Sequence, residues 1–205
     1  DATVFIVDDD PAVRTSLKKL IESIGLPVET FDSAETFLAA HEQDVPGCLI
    51  LDVRMPGMSG LHLQEQLANK GIQTPIIFIT GYADVPMAVR AMAHGAVDFI
   101  EKPFRAQDLL DRVHRALRLN EQQRREKQQR QAVEQRIAQL TPRETQVMGL
   151  VVDGKLNKQI ASELGVSEKT IEVHRSHVMR KLQLNNVAEL VQLVMRARRS
   201  EPPNH

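Results

Sequence analysis

The sequence predicts an α/β domain followed by an all-α domain, with a long helix between them. Three observations predict this. Short apolar runs alternate with helix-spaced segments through the first hundred residues, as in a βα repeat. Apolar residues then nearly vanish from Asn120 to Gln131, without Gly or Pro. Beyond Leu140, cap residues and turns punctuate helical patterns only.

The first strand is Thr3–Val7, short and β-branched, and it runs into Asp8-Asp9-Asp10. Asp10 and Pro11 suit the cap and first turn of a helix, with Val13, Leu17, Leu20, Ile21 and Ile24 at helical spacing and Gly25 as its stop. Further strands are expected at Val28–Phe31, Cys48–Leu51, Ile76–Thr80 and Asp98–Ile100. Helices are expected at 34–41, 60–69 and 85–94, and a last one from about Gln107. The third and fourth strands are almost wholly apolar, as strands covered on both faces are. Five strands each followed by a helix imply a five-stranded parallel sheet with right-handed crossovers.

Residues 117–137 are rich in Glu, Gln, Arg and Lys, all good helix formers, so a solvated continuation of the last helix is expected. A coiled coil needs apolar a and d positions, which this stretch lacks. About 30 helical residues extend some 45 Å, enough to hold two domains apart. Thr141-Pro142-Arg143-Glu144 carries a capping box with Pro at the first helical position. Helices follow at 157–164, closed by Gly165, at 168–182 capped by Ser167, and at 187–198. The expected divisions are 1–120, a linker at 121–138, a four-helix domain at 139–199 and a tail at 200–205.

Composition narrows the function. The 205 residues are 42% apolar with net charge −1, which argues against disorder. No apolar run approaches the roughly 20 residues of a membrane helix, and no secretory pattern opens the chain. The single cysteine, Cys48, excludes an internal disulfide framework and fits a reducing cytoplasm. Charge is divided unevenly: residues 1–104 hold 7 Lys/Arg and 15 Asp/Glu, residues 105–205 hold 19 and 12. An acidic half and a basic half suggest two partners, nucleic acid among them.

In a parallel α/β sheet, ligands collect at the carboxyl ends of the strands. Asp8 and Asp9 end strand one, Asp52 ends strand three, Thr80 ends strand four, and Lys102 follows strand five. In a doubly wound order these groups share one edge. Carboxylates gathered there repel one another unless a divalent cation neutralises them, and hard oxygen donors select magnesium. A carboxylate beside magnesium, a hydroxyl and a lysine can act as nucleophile toward a phosphoryl group. Each Asp taken singly is an ordinary strand-end or cap residue; the combination is not.

Val7-Asp8-Asp9-Asp10, Leu51-Asp52-Val53-Arg54-Met55-Pro56-Gly57-Met58-Ser59-Gly60, Ile79-Thr80-Gly81 and Glu101-Lys102-Pro103-Phe104 resemble the receiver domain of two-component response regulators. The resemblance implies a flavodoxin-like fold with Asp52 as phosphoacceptor. It implies Mg2+, or Mn2+ in its place, on Asp8, Asp9, Asp52 and the backbone carbonyl of Arg54. Thr80 would bond the phosphoryl group, Lys102 would pair with it, and the peptide before Pro103 would be cis. Thr80 and Phe99 match the switch pair, although Phe99 is equally readable as an ordinary buried strand residue. Segments 84–89 and 95–101 are similar to the FixJ subgroup. That implies dimerisation through the fourth helix and fifth strand after phosphorylation by a sensor histidine kinase.

In the basic half, 158–167 reads as helix, tight turn and helix cap. Leu140-Thr141-Pro142-Arg143-Glu144, Asn157-Lys158-Gln159-Ile160-Ala161 and Thr170-Ile171-Glu172-Val173-His174-Arg175-Ser176-His177 resemble the LuxR/FixJ DNA-binding domain. The match implies a recognition helix at 168–182, with Glu172, Val173 and Ser176 toward bases. Asn157, Lys158, Lys169, Thr170, Arg175, Arg180 and Lys181 would then lie nearer phosphates. His174 and His177 have no third ligand nearby and read as packing and backbone contacts. Together the resemblances imply a cytoplasmic transcription regulator of the FixJ/NarL type. Its partners would be a kinase, promoter DNA, RNA polymerase and a second copy, with no membrane, and its only chemistry its own phosphorylation and dephosphorylation.

Two rival readings stay open on sequence. One is a magnesium-dependent phosphohydrolase with Asp8 as nucleophile and Asp10 as the second acid. The other is a receiver that works through protein partners alone, its helical domain an interaction module.

Overall fold

The computed structural model describes residues 2–41, 45–81 and 85–198. The predicted tail at 200–205 and Asp84 of the subgroup motif lie outside them. The chain divides into two compact units, Asp1–Arg124 and Arg125–His205, within one continuous helix.

The first unit is built from β1 (Thr3–Val7), α1 (Pro11–Glu22), β2 (Val28–Phe31), α2 (Ala34–Ala40), β3 (Gly47–Asp52), α3 (Gly60–Asn69), β4 (Ile76–Thr80), α4 (Val85–Ala93) and β5 (Asp98–Glu101). The first part of α5 (Ala106–Ile137) completes it. All strands are parallel, in the order β2-β1-β3-β4-β5, so the sheet is doubly wound about β1 and β3. Register places Val7 beside Leu51, Asp52 beside Ile79, and Thr80 beside Glu101.

Alternation along the strands divides the core into two layers. Phe5, Val7, Leu49, Leu51 and Phe78 face α2, α3 and α4 through Phe37, Leu63, Leu67 and Ala91. Val4, Ile6, Cys48, Ile50, Ile77 and Ile79 face α1 and α5 through Leu17, Ile21, Leu109 and Val113. Every residue of β3 and β4 is buried, as their apolar runs predict. On α5 the buried Asn120 ties the helix to the start of β3, its Oδ1 accepting the Gly47 amide at 3.0 Å.

The second unit contains α6 (Pro142–Val152), α7 (Asn157–Leu164), α8 (Glu168–Leu182) and α9 (Val187–Arg198) around one core. Val147, Ile160, Ile171, Val178, Leu182 and Leu190 form its centre, and Val133 and Ile137 at the end of α5 pack against it. The capping box forms as predicted: Glu144 N–H donates to Thr141 Oγ1 at 3.3 Å, and Thr141 N–H to Glu144 Oε2 at 2.8 Å. Gly165, at φ 66°, makes the left-handed turn that ends α7 and brings Ser167 into place as the cap of α8.

Most boundaries agree with the sequence reading. The differences lie at ends: β3 gains a residue on each side, β5 extends to Glu101, and α2 and α4 stop one residue earlier. On α8 helical spacing predicts an inner face of Ile171, His174, Val178 and Leu182; Ile171, Val178 and Leu182 are buried, but His174 is only half-buried and does not belong to that face.

Candidate phosphorylation site and candidate nucleic-acid interface

Asp8 and Asp52 stand where β1 and β3 end, side by side because those strands are neighbours in the sheet. Asp8 is fully buried and Asp52 nearly so, while Asp9 is exposed. The three offer carboxylate oxygens within 4.8 Å of one another, the one such acidic, His or Cys group of three or more among the described residues. Lys102, just beyond β5, donates from Nζ to Asp8 Oδ2 at 2.9 Å and to Asp52 Oδ2 at 3.4 Å. Its peptide to Pro103 is cis, as expected, and its backbone N–H is bonded to Thr80 O at 2.7 Å. Thr80 is buried at the end of β4. Phe99 is half-buried against the α2–α4 layer, with its ring centroid 6.3 Å from that of Phe78.

The pocket's electrostatics follow from its charge count. Burial pushes the Asp52 carboxyl above its ordinary value; the Lys102 charge pulls it down and the Asp8 charge pushes it back up. Burial alone would lower the Lys102 ammonium, but hydrogen bonding to Asp8 and the two carboxylate charges carry it above its ordinary value. One lysine therefore serves two buried carboxylates, with a third acid at the rim. An all-oxygen donor set with surplus negative charge fits a hard divalent cation.

The loop after β3 is tightly built. Arg54 N–H donates to Asp52 Oδ1 at 3.3 Å. Gly60 returns beneath Asp52 so closely that a Cβ on it would lie 2.2 Å from the Asp52 carbonyl oxygen. Two neighbours were not legible in the sequence. Arg14 donates from Nη1 to the Asp8 carbonyl at 2.6 Å, and Glu35 accepts from the Met58 amide at 3.0 Å. No motif or spacing signals either contact.

The second unit presents a different surface. Lys169, Glu172, Val173, Ser176 and Arg180 are exposed at helical spacing along α8, with Val173 48% exposed despite being apolar. At the start of α7, Leu156 provides no side-chain cap, in contrast to Thr141 on α6 and Ser167 on α8. Lys158 is exposed there, and Arg175 reaches from α8 to Asn157 Oδ1 at 2.5 Å. Thr170 is engaged with Ser167 in the cap of α8. Lys181 points inward: it donates to Glu144 Oε2 at 2.7 Å and to Gln139 O at 3.3 Å. His177 is half-exposed and stands 3.7 Å from the other Glu144 oxygen, a polar contact with a carboxylate in place of the expected packing.

Comparison with known proteins decides the family. Residues 4–114 match the response regulator receiver domain, and residues 138–194 match the bacterial regulatory proteins of the luxR family. The chain belongs to the response regulators. It is 47% identical to the response regulator protein TodT of Pseudomonas putida, over 97% of this chain and 88% of TodT. Among solved structures it is similar to response regulator StyR, at 50% identity and TM-score 0.84, covering 95% of this chain and 98% of StyR. It is also similar to full-length FixJ from B. japonicum, at 42% identity and TM-score 0.60, covering 98% and 99%. As a response regulator of FixJ type with a LuxR-type domain, it is a phosphorylation-activated transcription regulator. No helix among the described residues is long and apolar enough to cross a membrane.

Proposed function

We propose that Asp52 accepts a phosphoryl group from the phosphohistidine of a sensor kinase. The observation that carries this is Lys102 shared between Asp52 and the fully buried Asp8, with Asp9 close by. An Asp52 oxygen attacks phosphorus, the phosphorus–nitrogen bond breaks, and the freed kinase imidazole takes up a proton. Lys102 and the Thr80 hydroxyl face the charge growing on the phosphoryl oxygens. Mg2+, or Mn2+ in its place, held by Asp8, Asp9, Asp52 and the Arg54 carbonyl, supplies further charge neutralisation when bound. The same arrangement run with water returns the free carboxylate, and no chemistry on other substrates is part of this reading.

The added charge of about −2 acts on a two-state surface. In this reading Thr80 and Phe99 transmit it to α4 and β5. Val89 and Met92 on α4 are 61% and 46% exposed, an apolar face available to a second copy. α9 adds another through Met195, which is 53% exposed. The dimer then binds promoter DNA in the cytoplasm and meets RNA polymerase there. Lys169, Glu172, Val173, Ser176 and Arg180 line the groove-facing side of α8, and Asn157 and Lys158 meet phosphate at the start of α7, where Leu156 offers no side-chain oxygen to the first-turn amides. Thr170 and Arg175 support that surface through Ser167 and Asn157.

The hydrolase reading loses support at Asp10, the second acid it requires: Asp10 caps α1, its Oδ1 accepting the Ala12 amide at 2.8 Å. The test is acetyl phosphate with Mg2+ on wild type and Asp52→Ala, reading oligomeric state and binding to promoter fragments. Phosphate-dependent dimerisation and tighter DNA binding, both lost in the variant, are expected. Binding unchanged by phosphate removes Asp52 as the control point. Absence of DNA binding in every state reassigns the helical unit to protein partners.

A further inference from the structure

The loop Val53–Ser59 carries the Arg54 amide that touches Asp52, and its near end is well held. Val53 N–H donates to Ile79 O at 3.2 Å, Gly60 N–H donates to Val53 O at 3.0 Å, and Val53 and Met55 are buried in the core. Its far tip has a different anchor. Gly57 sits at φ +75°, and the Glu35 carboxylate lies directly over it while accepting the Met58 amide at 3.0 Å. A Cβ on Gly57 would fall 2.9 Å from Glu35 Oε1, so the glycine serves both the turn and the close approach of the carboxylate. Glu35 is itself firmly based: it stands in the first turn of α2, capped by Ser33, with Ala34 and Phe37 buried on either side.

We propose that Glu35 is a positioning residue of the phosphorylation site, clamping the tip of the 53–59 loop so that Arg54 keeps its place beside Asp52. The simpler account of a glutamate in a first turn is a favourable interaction with the helix dipole. That account needs only its charge. The clamp needs only an acceptor oxygen at the right distance, so the two separate cleanly on substitution. Glu35→Gln keeps an acceptor and loses the charge; Glu35→Ala loses both. The proposal rests on Asp52 and its neighbours being the magnesium site.

The experiment is calorimetric titration of the full chain with Mg2+ alone, alongside hydrogen exchange at the Met58 amide. For Glu35→Ala, Mg2+ affinity falls about tenfold, the lower end of what losing an outer support of a metal site produces. Its Met58 amide exchanges faster, while core amides of β3 keep their protection. Glu35→Gln stays within about twofold of wild type by both measures. Wild-type affinity in Glu35→Ala overturns the proposal, as does a Glu35→Gln variant as impaired as Glu35→Ala, which would assign the effect to charge. If Glu35→Ala does not fold, the Met58 amide of wild type and Glu35→Gln decides: protection in both supports the clamp, and loss in Glu35→Gln overturns it. If wild type takes up no Mg2+ while its Met58 amide is protected, the site reading itself fails, and the positioning role with it.

Discussion

Asp52 and Glu144 are both buried carboxylates paired with a lysine, yet their environments drive them in opposite directions. Asp52 is raised above its ordinary value, chiefly by burial, and shares Lys102 with Asp8. Glu144 is held down to about 2, first by its hydrogen bond from Lys181 and then by the Thr141 backbone amide. The difference is the charge count. In the second unit one lysine and one backbone donor satisfy one acid, and the result is an ordinary structural tie. In the first unit one lysine is shared between two buried acids with a third at the rim, leaving negative charge that a hard divalent cation would balance.

The largest test of that contrast is Asp52→Ala. Phosphate-dependent dimerisation, followed by light scattering, disappears entirely; any remaining response places the acceptor elsewhere. Next is Gly60→Ala, which drives a methyl into the Asp52 carbonyl oxygen. Chemical denaturation should show the first unit destabilised by about 3 kcal/mol, the range for forced overpacking. The second unit keeps its midpoint.

Glu144→Gln probes the balanced pair. The variant loses a charge-assisted bond, so hydrogen exchange in α8 should report about 2 kcal/mol less protection at neutral pH. The pH dependence has a definite sign. Glu144 in the fold lies at about 2, below its ordinary 4.5, so its stabilisation is present above pH 4.5 and fades as pH falls toward about 2. Glu144→Gln removes that fading. The smallest effect distinguishes two lysines of the same unit. Lys158→Ala should lower the salt dependence of DNA binding by about one unit of slope, whereas Lys181→Ala should leave the slope unchanged and weaken the fold instead. Equal slope changes for the two would return Lys181 to the DNA-facing set.

Much of the fold was legible because each signal was local. Apolar runs marked β1, β2 and β4 to the residue, and capping chemistry at Thr141 and Ser167 placed the starts of α6 and α8. The pocket was legible for a related reason: Asp8, Asp52, Thr80 and Lys102 sit at or just past strand ends, and a doubly wound parallel sheet brings such ends to one edge. The exposed stripe of α8 was legible in part. Helical spacing groups Lys169, Glu172, Val173, Ser176 and Arg180, but it also admitted Lys181, which the fold turns to Glu144.

The sequence by itself therefore determined the element order, the two-unit division in outline and the edge at which the acids meet. Tertiary structure alone decided which long side chains reach across elements. It placed Glu35 on the Met58 amide, Arg14 on the Asp8 carbonyl, Asn120 on the Gly47 amide, and Lys181 on Glu144. The physical reason is that periodicity and capping are properties of neighbouring residues, constrained by backbone geometry over one or two turns. A flexible polar side chain chooses its partner only after packing has fixed which donors and acceptors lie within reach.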